Sequence, residues 1–201
     1  MARSRVAKRV RALTPSDLVL AIYGAACLLL GGASAAGAIA NGVLQLAGIG
    51  ILAFVALTPS PDATTQPTRG LWLLLGFLCL IAAMQFLPLP PQAWASLPGR
   101  SAIAGDYRLL GLSPPWLPIT LAPDRALGSV LALIPFVATL MLTLRATAEG
   151  RVAFVWVLIT VAACSIAVGS VQLFSGGASR LYFYRVTNHG DAVGFLSLIH
   201  I

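Results

Sequence analysis

The sequence predicts an all-α, polytopic membrane protein with about five transmembrane helices and a proline-rich outer loop. Hydrophobic residues make up 58% of the 201 residues and charged residues 9%, whereas an ordinary soluble domain is about 25% charged. The apolar residues form long runs, which short polar or proline-rich segments separate. Since a helix crosses the bilayer core with about 20 apolar residues, we interpret these runs as membrane spans.

The basic residues are placed where they orient a membrane protein. The net charge is +7, and five basic residues precede the first apolar run: Arg3, Arg5, Lys8, Arg9 and Arg11. Cytoplasmic segments carry an excess of Lys and Arg, so we expect the N-terminus to be cytoplasmic. The rest of the chain has no basic stripe that could follow a phosphate backbone. The expected partner is therefore the lipid bilayer, and no nucleic acid is expected.

The first span is predicted over residues 18–40. The segment Thr14-Pro-Ser-Asp17 resembles a helix N-terminus, and the apolar run begins directly after it. A cleaved signal peptide is the alternative interpretation, with residues 18–30 as its apolar region and residues 33–35 (Ala-Ser-Ala) as its cleavage site. The sequence leaves both interpretations open.

Two further spans precede the proline-rich loop. Asn41 and Gly42 are expected in an outer turn, and the second span, 43–57, returns to the inner side. Residues 58–70 are polar, contain several prolines and carry one Arg beside the next span, as is typical of an inner loop. The third span is predicted over residues 71–87.

The outer loop, 88–124, is neither apolar enough to span a bilayer nor polar enough to be a free linker. It holds eight prolines, which exclude a long regular helix because each lacks a backbone donor and fixes φ. Trp94 and Trp116 lie among them, with Leu97 and Leu117, and tryptophan favours the headgroup layer of a bilayer. We expect short helices at most, and a loop that rests on the outer face of the membrane through these four side chains.

The remaining elements are two spans joined by a tight inner turn. The fourth span is predicted over residues 125–144, with a proline-induced kink near Ile134. Residues 145–151 form the inner turn and contain two Arg. The fifth span is predicted over residues 152–174, and this leaves the C-terminal segment, 175–201, on the outer side.

No metal, disulfide or cofactor is predicted. Each of the three cysteines, Cys27, Cys79 and Cys164, lies inside an apolar run with no Cys or His at metal-ligand spacing. Thiols in such runs behave as small hydrophobic side chains. The interiors of the predicted spans carry no ionisable residue, which disfavours a proton or ion pathway.

Polar functional groups concentrate in the outer C-terminal segment. Arg180 and Arg185 are candidates for binding a diphosphate, since the guanidinium fork suits two oxygens, and His189 is a candidate acid or base near neutral pH. Arg100 in the outer loop is a further candidate for binding a diphosphate. The alternative is that these side chains meet lipid headgroups in the membrane interface. Catalytic residues are not assigned, because no catalytic motif of fixed spacing is present.

Two parts of the chain carry a family resemblance. The first is Gln85-Phe-Leu-Pro-Leu-Pro-Pro with Trp94 and Leu97-Pro-Gly-Arg100, followed by Trp116-Leu-Pro-Ile-Thr-Leu-Ala-Pro. The second, Tyr184-Arg-Val-Thr-Asn-His-Gly-Asp-Ala-Val-Gly-Phe195, looks like a segment that leads into an Asn-Arg-Asn-His stretch. Together they resemble the first half of the O-antigen ligase and O-antigen polymerase-related membrane proteins of Gram-negative bacteria.

The resemblance implies a metal-independent glycosyltransferase of the bacterial inner membrane. Such an enzyme transfers undecaprenyl-diphosphate-linked oligosaccharide or polysaccharide on the periplasmic face, in lipopolysaccharide O-antigen or exopolysaccharide assembly. The residues assigned to that chemistry lie in a later periplasmic loop without a counterpart in this sequence, so no catalytic residue is carried over. The chain is interpreted as an N-terminal part that is inactive by itself. Ligase and polymerase are not distinguished, nor are the donor sugar and the acceptor.

Two further expectations concern the last residues and the class of protein. After Phe195 the Asn-Arg-Asn-His stretch is replaced by residues 196–201 (Leu-Ser-Leu-Ile-His-Ile), which we expect not to be native. The alternative from another class is a small non-catalytic membrane subunit or a transporter fragment. The genomic sequence that follows Phe195 distinguishes this alternative from the N-terminal part of a glycan ligase or polymerase.

Overall fold

The computed structural model describes residues 13–30, 38–58 and 68–175. The helices in these ranges are α1 (Pro15–Leu30), α2 (Ala38–Leu57), α3 (Arg69–Met84), α4 (Pro91–Ala95), α5 (Ser101–Leu109), α6 (Pro123–Leu131), α7 (Leu133–Arg145) and α8 (Ala148–Ser175). The strands are β1 (Pro88–Leu89) and β2 (Leu117–Pro118). The described chain is therefore mostly helical, as predicted.

The predicted number of spans is not confirmed. Within the described ranges, three helical segments are long and apolar enough to cross a membrane: Ile39–Leu57, Pro123–Arg145 (α6 with α7) and Ala148–Ser175. The helices α1 and α3 are apolar but have 16 residues each. At 1.5 Å per residue such a helix is about 24 Å long, whereas the bilayer core is about 30 Å thick.

The outer turn predicted at Asn41 and Gly42 is wrong. Both residues belong to α2, which begins at Ala38. They are the fourth and fifth residues of that helix, so the chain has already entered α2 where a turn was predicted. The predicted first span also included residues 31–37, which lie outside the described residues.

Two other predicted boundaries differ from the observed helices. The third helix ends at Met84 instead of residue 87, because Pro88 disfavours helical geometry in the residue before it. The inner turn is shorter than predicted, since α7 continues to Arg145 and α8 begins at Ala148.

The helix breaks close to the kink predicted in the fourth span. The helix α6 ends at Leu131, Ala132 is a turn residue, and α7 begins at Leu133. Pro135 has no N–H to donate to the Leu131 carbonyl, and its ring crowds that carbonyl. In α7 the proline occupies the first turn, where a missing N–H leaves no helical bond unmade.

Contacts divide the chain into two compact units. The first comprises Met1–Gln66 and Ile134–Ile201 and is called the helical unit; the second comprises Pro67–Leu133 and is called the loop unit. The described helices of the helical unit are α1, α2, α7 and α8. The loop unit contains α3 to α6 and both strands.

The helical unit packs around a small apolar core. Its buried members are Leu20, Tyr23, Leu44, Ala138, Leu142 and Ala146. Two glycines permit close packing: a Cβ at Gly24 would lie 2.2 Å from Cε2 of Phe154, and a Cβ at Gly48 would lie 2.7 Å from the hydroxyl of Tyr23. Small residues let helix backbones approach closely in membranes.

A short antiparallel strand pair, which the sequence did not predict, joins the two ends of the proline-rich segment in the loop unit. Pro88 lies opposite Pro118, and Leu89 lies opposite Leu117. Two further backbone hydrogen bonds extend the pairing: the Ile119 N–H donates to the Leu87 carbonyl at 3.2 Å, and the Thr120 N–H donates to the Gln85 carbonyl at 2.9 Å. Between the strands lie only the short helices α4 and α5, as expected for the proline-rich segment.

Candidate functional site

The described polar groups form two clusters, one in each unit. The helix-end cluster of the helical unit contains Thr14, Asp17, Arg145, Thr147 and Gly150. The loop core of the loop unit is built around Trp94 and Arg100.

The carboxylate of Asp17 joins the N-termini of two helices. Thr14 precedes α1 and donates both its N–H and its hydroxyl to Oδ2 of Asp17, each at 2.8 Å. Thr147 precedes α8 and donates its N–H to Oδ1 and its hydroxyl to Oδ2, each at 2.9 Å. Asp17 is 2% exposed, so these hydrogen bonds satisfy a buried charge.

Both threonines also cap their own helices. The hydroxyl of Thr14 accepts from the Asp17 N–H at 3.3 Å, which completes a capping box. The hydroxyl of Thr147 accepts from the Gly150 N–H at 3.0 Å. The positive ends of two helix dipoles therefore meet one negative charge. The absence of a side chain at Gly150 leaves space for the Asp17 carboxylate, because a Cβ at this position would lie 1.9 Å from Oδ1 of Asp17.

The hydrogen bonds determine the direction of the Asp17 pKa shift. Asp17 precedes the first predicted span. Burial alone would raise its pKa, but the hydrogen bonds donated by Thr14 and Thr147 favour the charged form, and the pKa is lowered from its ordinary value. The carboxylate is therefore ionised at neutral pH.

Arginines occupy the C-termini of the other two helices of this unit. Arg145 donates to the Thr58 hydroxyl at 2.8 Å, to the Thr58 carbonyl at 2.7 Å and to the Val55 carbonyl, all at the end of α2. Arg151 donates to the carbonyls of Thr143 and Leu144, at the end of α7, at 3.1 and 3.3 Å. A cation at a helix C-terminus bonds carbonyls that lack a helical partner and complements the helix dipole.

These contacts bring four helix termini to one end of the helical unit. The N-termini of α1 and α8 meet at Asp17, and the C-termini of α2 and α7 meet at Arg145. Sequence analysis expected these segments on a single side of the membrane, and the contacts agree with that expectation. The assignment of this side to the cytoplasm stays a prediction.

Trp94 forms the centre of the loop core. Its side chain is fully buried, its indole N–H donates to the Pro115 carbonyl at 2.9 Å, and its ring meets that of Tyr107 edge to face with centroids 6.3 Å apart. The expectation that Trp94 rests on the membrane is therefore wrong. A carbonyl inside the loop unit satisfies the indole N–H, so the ring needs no contact with water or headgroups. Trp116, by contrast, is largely exposed.

Arg100 is the one predicted site residue that lies within the described ranges. It is 3% exposed, and its guanidinium donates to the Pro118 carbonyl at 3.0 Å and to the Ile119 carbonyl. These hydrogen bonds connect the N-terminal end of α5 with the segment that contains β2. Its role in binding a diphosphate stays a prediction. The other predicted site residues, Arg180, Arg185 and His189, lie outside the described residues.

Sequence analysis missed the helix-end cluster. It treated Thr14 to Asp17 only as a helix start and placed Thr147 inside a turn. The signal was present as a threonine three residues before Asp17 and another three residues before Gly150, the spacing of N-terminal caps. Within the described ranges, no group of three or more His, Cys, Asp or Glu is placed to hold a metal ion.

Comparisons with known proteins give no match. No protein-family model, no curated protein and no solved structure matches this chain. The architecture therefore rests on the contacts within the chain, and the family resemblance of residues 85–195 stays an expectation.

Proposed function

We propose that this chain supplies the N-terminal membrane part of a bacterial inner-membrane glycan ligase or polymerase. The complete enzyme transfers undecaprenyl-diphosphate-linked oligosaccharide or polysaccharide on the periplasmic face, in lipopolysaccharide O-antigen or exopolysaccharide assembly. The proposal starts from the resemblance of residues 85–195. The apolar helices of membrane-spanning length are compatible with it.

One structural observation supports the proposal: residues that carry the resemblance hold the loop unit together. Trp94 donates to the Pro115 carbonyl, next to Trp116, and Arg100 donates to the carbonyls of Pro118 and Ile119. Residues 85–100 and 116–123, the two pieces of the first resembling part, are separated in the sequence, yet they belong to one folded element. In the proposed enzyme this element is the periplasmic platform beside the carrier-linked glycan.

The proposal separates residues that support the fold from residues that bind substrate. Arg100, Arg145 and Arg151 each donate to backbone carbonyls, which accounts for them as structural groups. Arg180 and Arg185 are assigned to the carrier diphosphate, because guanidinium groups bind phosphate oxygens in pairs. His189 is assigned to the same site as a proton donor or acceptor.

The genomic sequence downstream of Phe195 and a complementation assay test the proposal. The locus should continue in frame into further apolar spans and a large outer loop with Arg and His. The gene read from that locus should restore long-chain surface glycan to a strain that lacks its own ligase or polymerase. The double variant Arg180→Ala with Arg185→Ala should lose this activity, and Arg108→Ala should keep it. A nearby stop codon, or full activity of the double variant, would count against the proposal.

A small non-catalytic membrane subunit is the second candidate. It is favoured by the use of Asp17 and Arg145 in contacts between helix ends, which is expected of a scaffold. A short locus, with no change of surface glycan on deletion of the gene, would support it.

A further inference from the structure

The loop unit presents a group of exposed apolar side chains after α5. The group consists of Leu109, Leu110, Leu112 and Trp116 and is called the apolar tip; each member is more than half exposed. Scattered apolar residues are ordinary on a protein surface, but here three exposed leucines lie within four positions of the chain. Groups of exposed apolar side chains mark sites of interaction with a protein, a ligand or a membrane.

The backbone holds the three leucines in their exposed positions. The helix α5 ends in a hydrogen-bonded turn: Leu110 N–H donates to the Asp106 carbonyl at 3.0 Å, Gly111 N–H to the Arg108 carbonyl at 3.1 Å and Leu112 N–H to the Tyr107 carbonyl at 2.9 Å. Gly111 adopts φ +66°, the left-handed conformation that glycine favours after a helix. The three leucines are therefore exposed on a hydrogen-bonded turn.

The loop core joins Trp116 to the same turn. Trp94 donates to the carbonyl of Pro115, the residue before Trp116, and its ring contacts Tyr107 of α5. One buried ring thus connects the segment that carries Trp116 with the helix that carries the leucines. Both parts of the tip are therefore connected to the loop core.

We propose that the apolar tip inserts into the interfacial layer of the lipid bilayer. The helix α3, in the same unit, exposes apolar side chains such as Trp72, Leu73 and Phe77, which requires lipid or protein around it. The strand pair then fixes where the loop departs from the end of α3. This surface is independent of any glycan transfer and goes beyond the proposed function.

The segment between the tip and the strand pair is too short for the tip to lie far from the end of α3. Leu112 is five residues from Leu117 of β2, and five extended residues reach at most about 18 Å. Arg108 is exposed beside the leucines, where a long basic side chain can contact lipid phosphate while its stem lies on apolar groups. Tryptophan is enriched at the same depth of the bilayer. Of the four side chains that the sequence predicts on the membrane, Trp94, Leu97, Trp116 and Leu117, only Trp116 belongs to the tip.

Nitroxide labels in lipid vesicles test the insertion. The background is the full chain with Cys27, Cys79 and Cys164 replaced by alanine, and the labelled variants are Leu110→Cys and Ser96→Cys. Ser96 is exposed in the same unit and serves as the matched control. The readout is the ratio of collision rates with oxygen, which enriches in lipid, and with a water-soluble nickel chelate. We expect this ratio to be several-fold higher at residue 110 than at residue 96.

Each other result overturns the proposal. Equal ratios at the two positions would place the tip in water. Low collision rates with both reagents at residue 110 would mean that protein covers the tip, and spin–spin broadening between labels would identify a second copy of the chain. Equal helix content of both labelled variants by circular dichroism shows that the comparison concerns folded protein.

Discussion

The helical unit and the proline-rich part of the loop unit, residues 85–120, place polar and apolar residues differently. In the helical unit the charged side chains Asp17 and Arg145 lie at helix ends, and apolar side chains such as Ile39 and Phe174 are exposed along the helices. In the loop unit Trp94 is fully buried, and Arg100 is buried as well. The helical unit thus has the distribution of a membrane protein, while the loop unit has a core of its own.

The difference shows that two kinds of interaction hold the chain together. Between helices that lie in lipid, burial of apolar area gives little net driving force, so close packing and hydrogen bonds determine which helices meet. In the loop unit a tryptophan and an arginine donate to backbone carbonyls, in a segment whose prolines supply no N–H. Substitutions should therefore change stability for different physical reasons in the two units.

The largest effect is expected from Trp94→Ala. Removal of a buried tryptophan costs about 3–5 kcal/mol, and here it also leaves the Pro115 carbonyl without its donor. Amide hydrogen exchange should rise throughout the loop unit, while the helical unit keeps its protection. Trp116→Ala is the matched control, and its effect on exchange should stay within about 0.5 kcal/mol. Equal effects of the two substitutions would remove the distinction between a buried and an exposed tryptophan.

Asp17→Ala should be nearly as destabilising, but in the helical unit. It leaves buried donors of Thr14 and Thr147 without an acceptor, which costs about 2–4 kcal/mol. The measurement is thermal unfolding in detergent micelles, followed by circular dichroism. The exposed Asp106→Ala should unfold at the parental temperature. A parental unfolding temperature for Asp17→Ala would mean that the helix-end cluster contributes no stability.

Two glycines sharpen the comparison because their alanine variants should shift stability in opposite directions. A Cβ at Gly24 in α1 meets the Phe154 ring, whereas nothing lies within 4 Å of a Cβ at Gly76 in α3. Gly24→Ala should destabilise by about 1–3 kcal/mol through overpacking. Gly76→Ala should stabilise by about 0.5–1 kcal/mol, since alanine loses less backbone entropy in a helix. A Gly24→Ala variant as stable as the parent or more stable would show that α1 and α8 do not pack as described.

The smallest effect is a pH dependence confined to the helical unit. The folded-state pKa of Asp17 is lowered, so its hydrogen bonds contribute stability above the unfolded-state pKa, and this contribution is lost as pH falls through the folded-state pKa. The loss should occur below about pH 4, the range in which an unfolded aspartate is protonated. In thermal unfolding series across this range, Asp17→Asn should be less pH-dependent than the parent. An equal pH dependence of Asp17→Asn and the parent would contradict the prediction.

The sequence was sufficient for the class of fold and for the character of the proline-rich segment. Apolar runs predict membrane helices because composition alone decides whether a helix is stable in lipid. The prolines between Pro88 and Pro123 exclude a long helix for a local reason, the missing N–H. The number of spans was less predictable, because α1 and α3 fall near the length at which a helix can cross the bilayer.

The contacts inside each unit were beyond sequence reasoning, since they join residues far apart in the chain. Asp17 and Thr147 are separated by 130 positions, and no local pattern indicates that their helices begin side by side. Trp94 could be assigned to a membrane surface or to a protein core, because an indole suits both until the partner of its N–H is known. Arg100 was judged by its charge alone, whereas its carbonyl partners become visible only in the fold.

Fluorescence of single-tryptophan chains in vesicles tests the central claim, that the loop unit has its own core, most directly. One chain keeps only Trp94 and a second keeps Trp94 and Trp116, with the other tryptophans replaced by phenylalanine, so that the difference between the two reports on Trp116 while the loop core keeps its buried ring. Each is measured with acrylamide in water and with lipids brominated on their acyl chains. The account predicts that Trp94 is shielded from both quenchers and that brominated lipid quenches Trp116. Quenching of Trp94 by either reagent as strongly as Trp116 would contradict it.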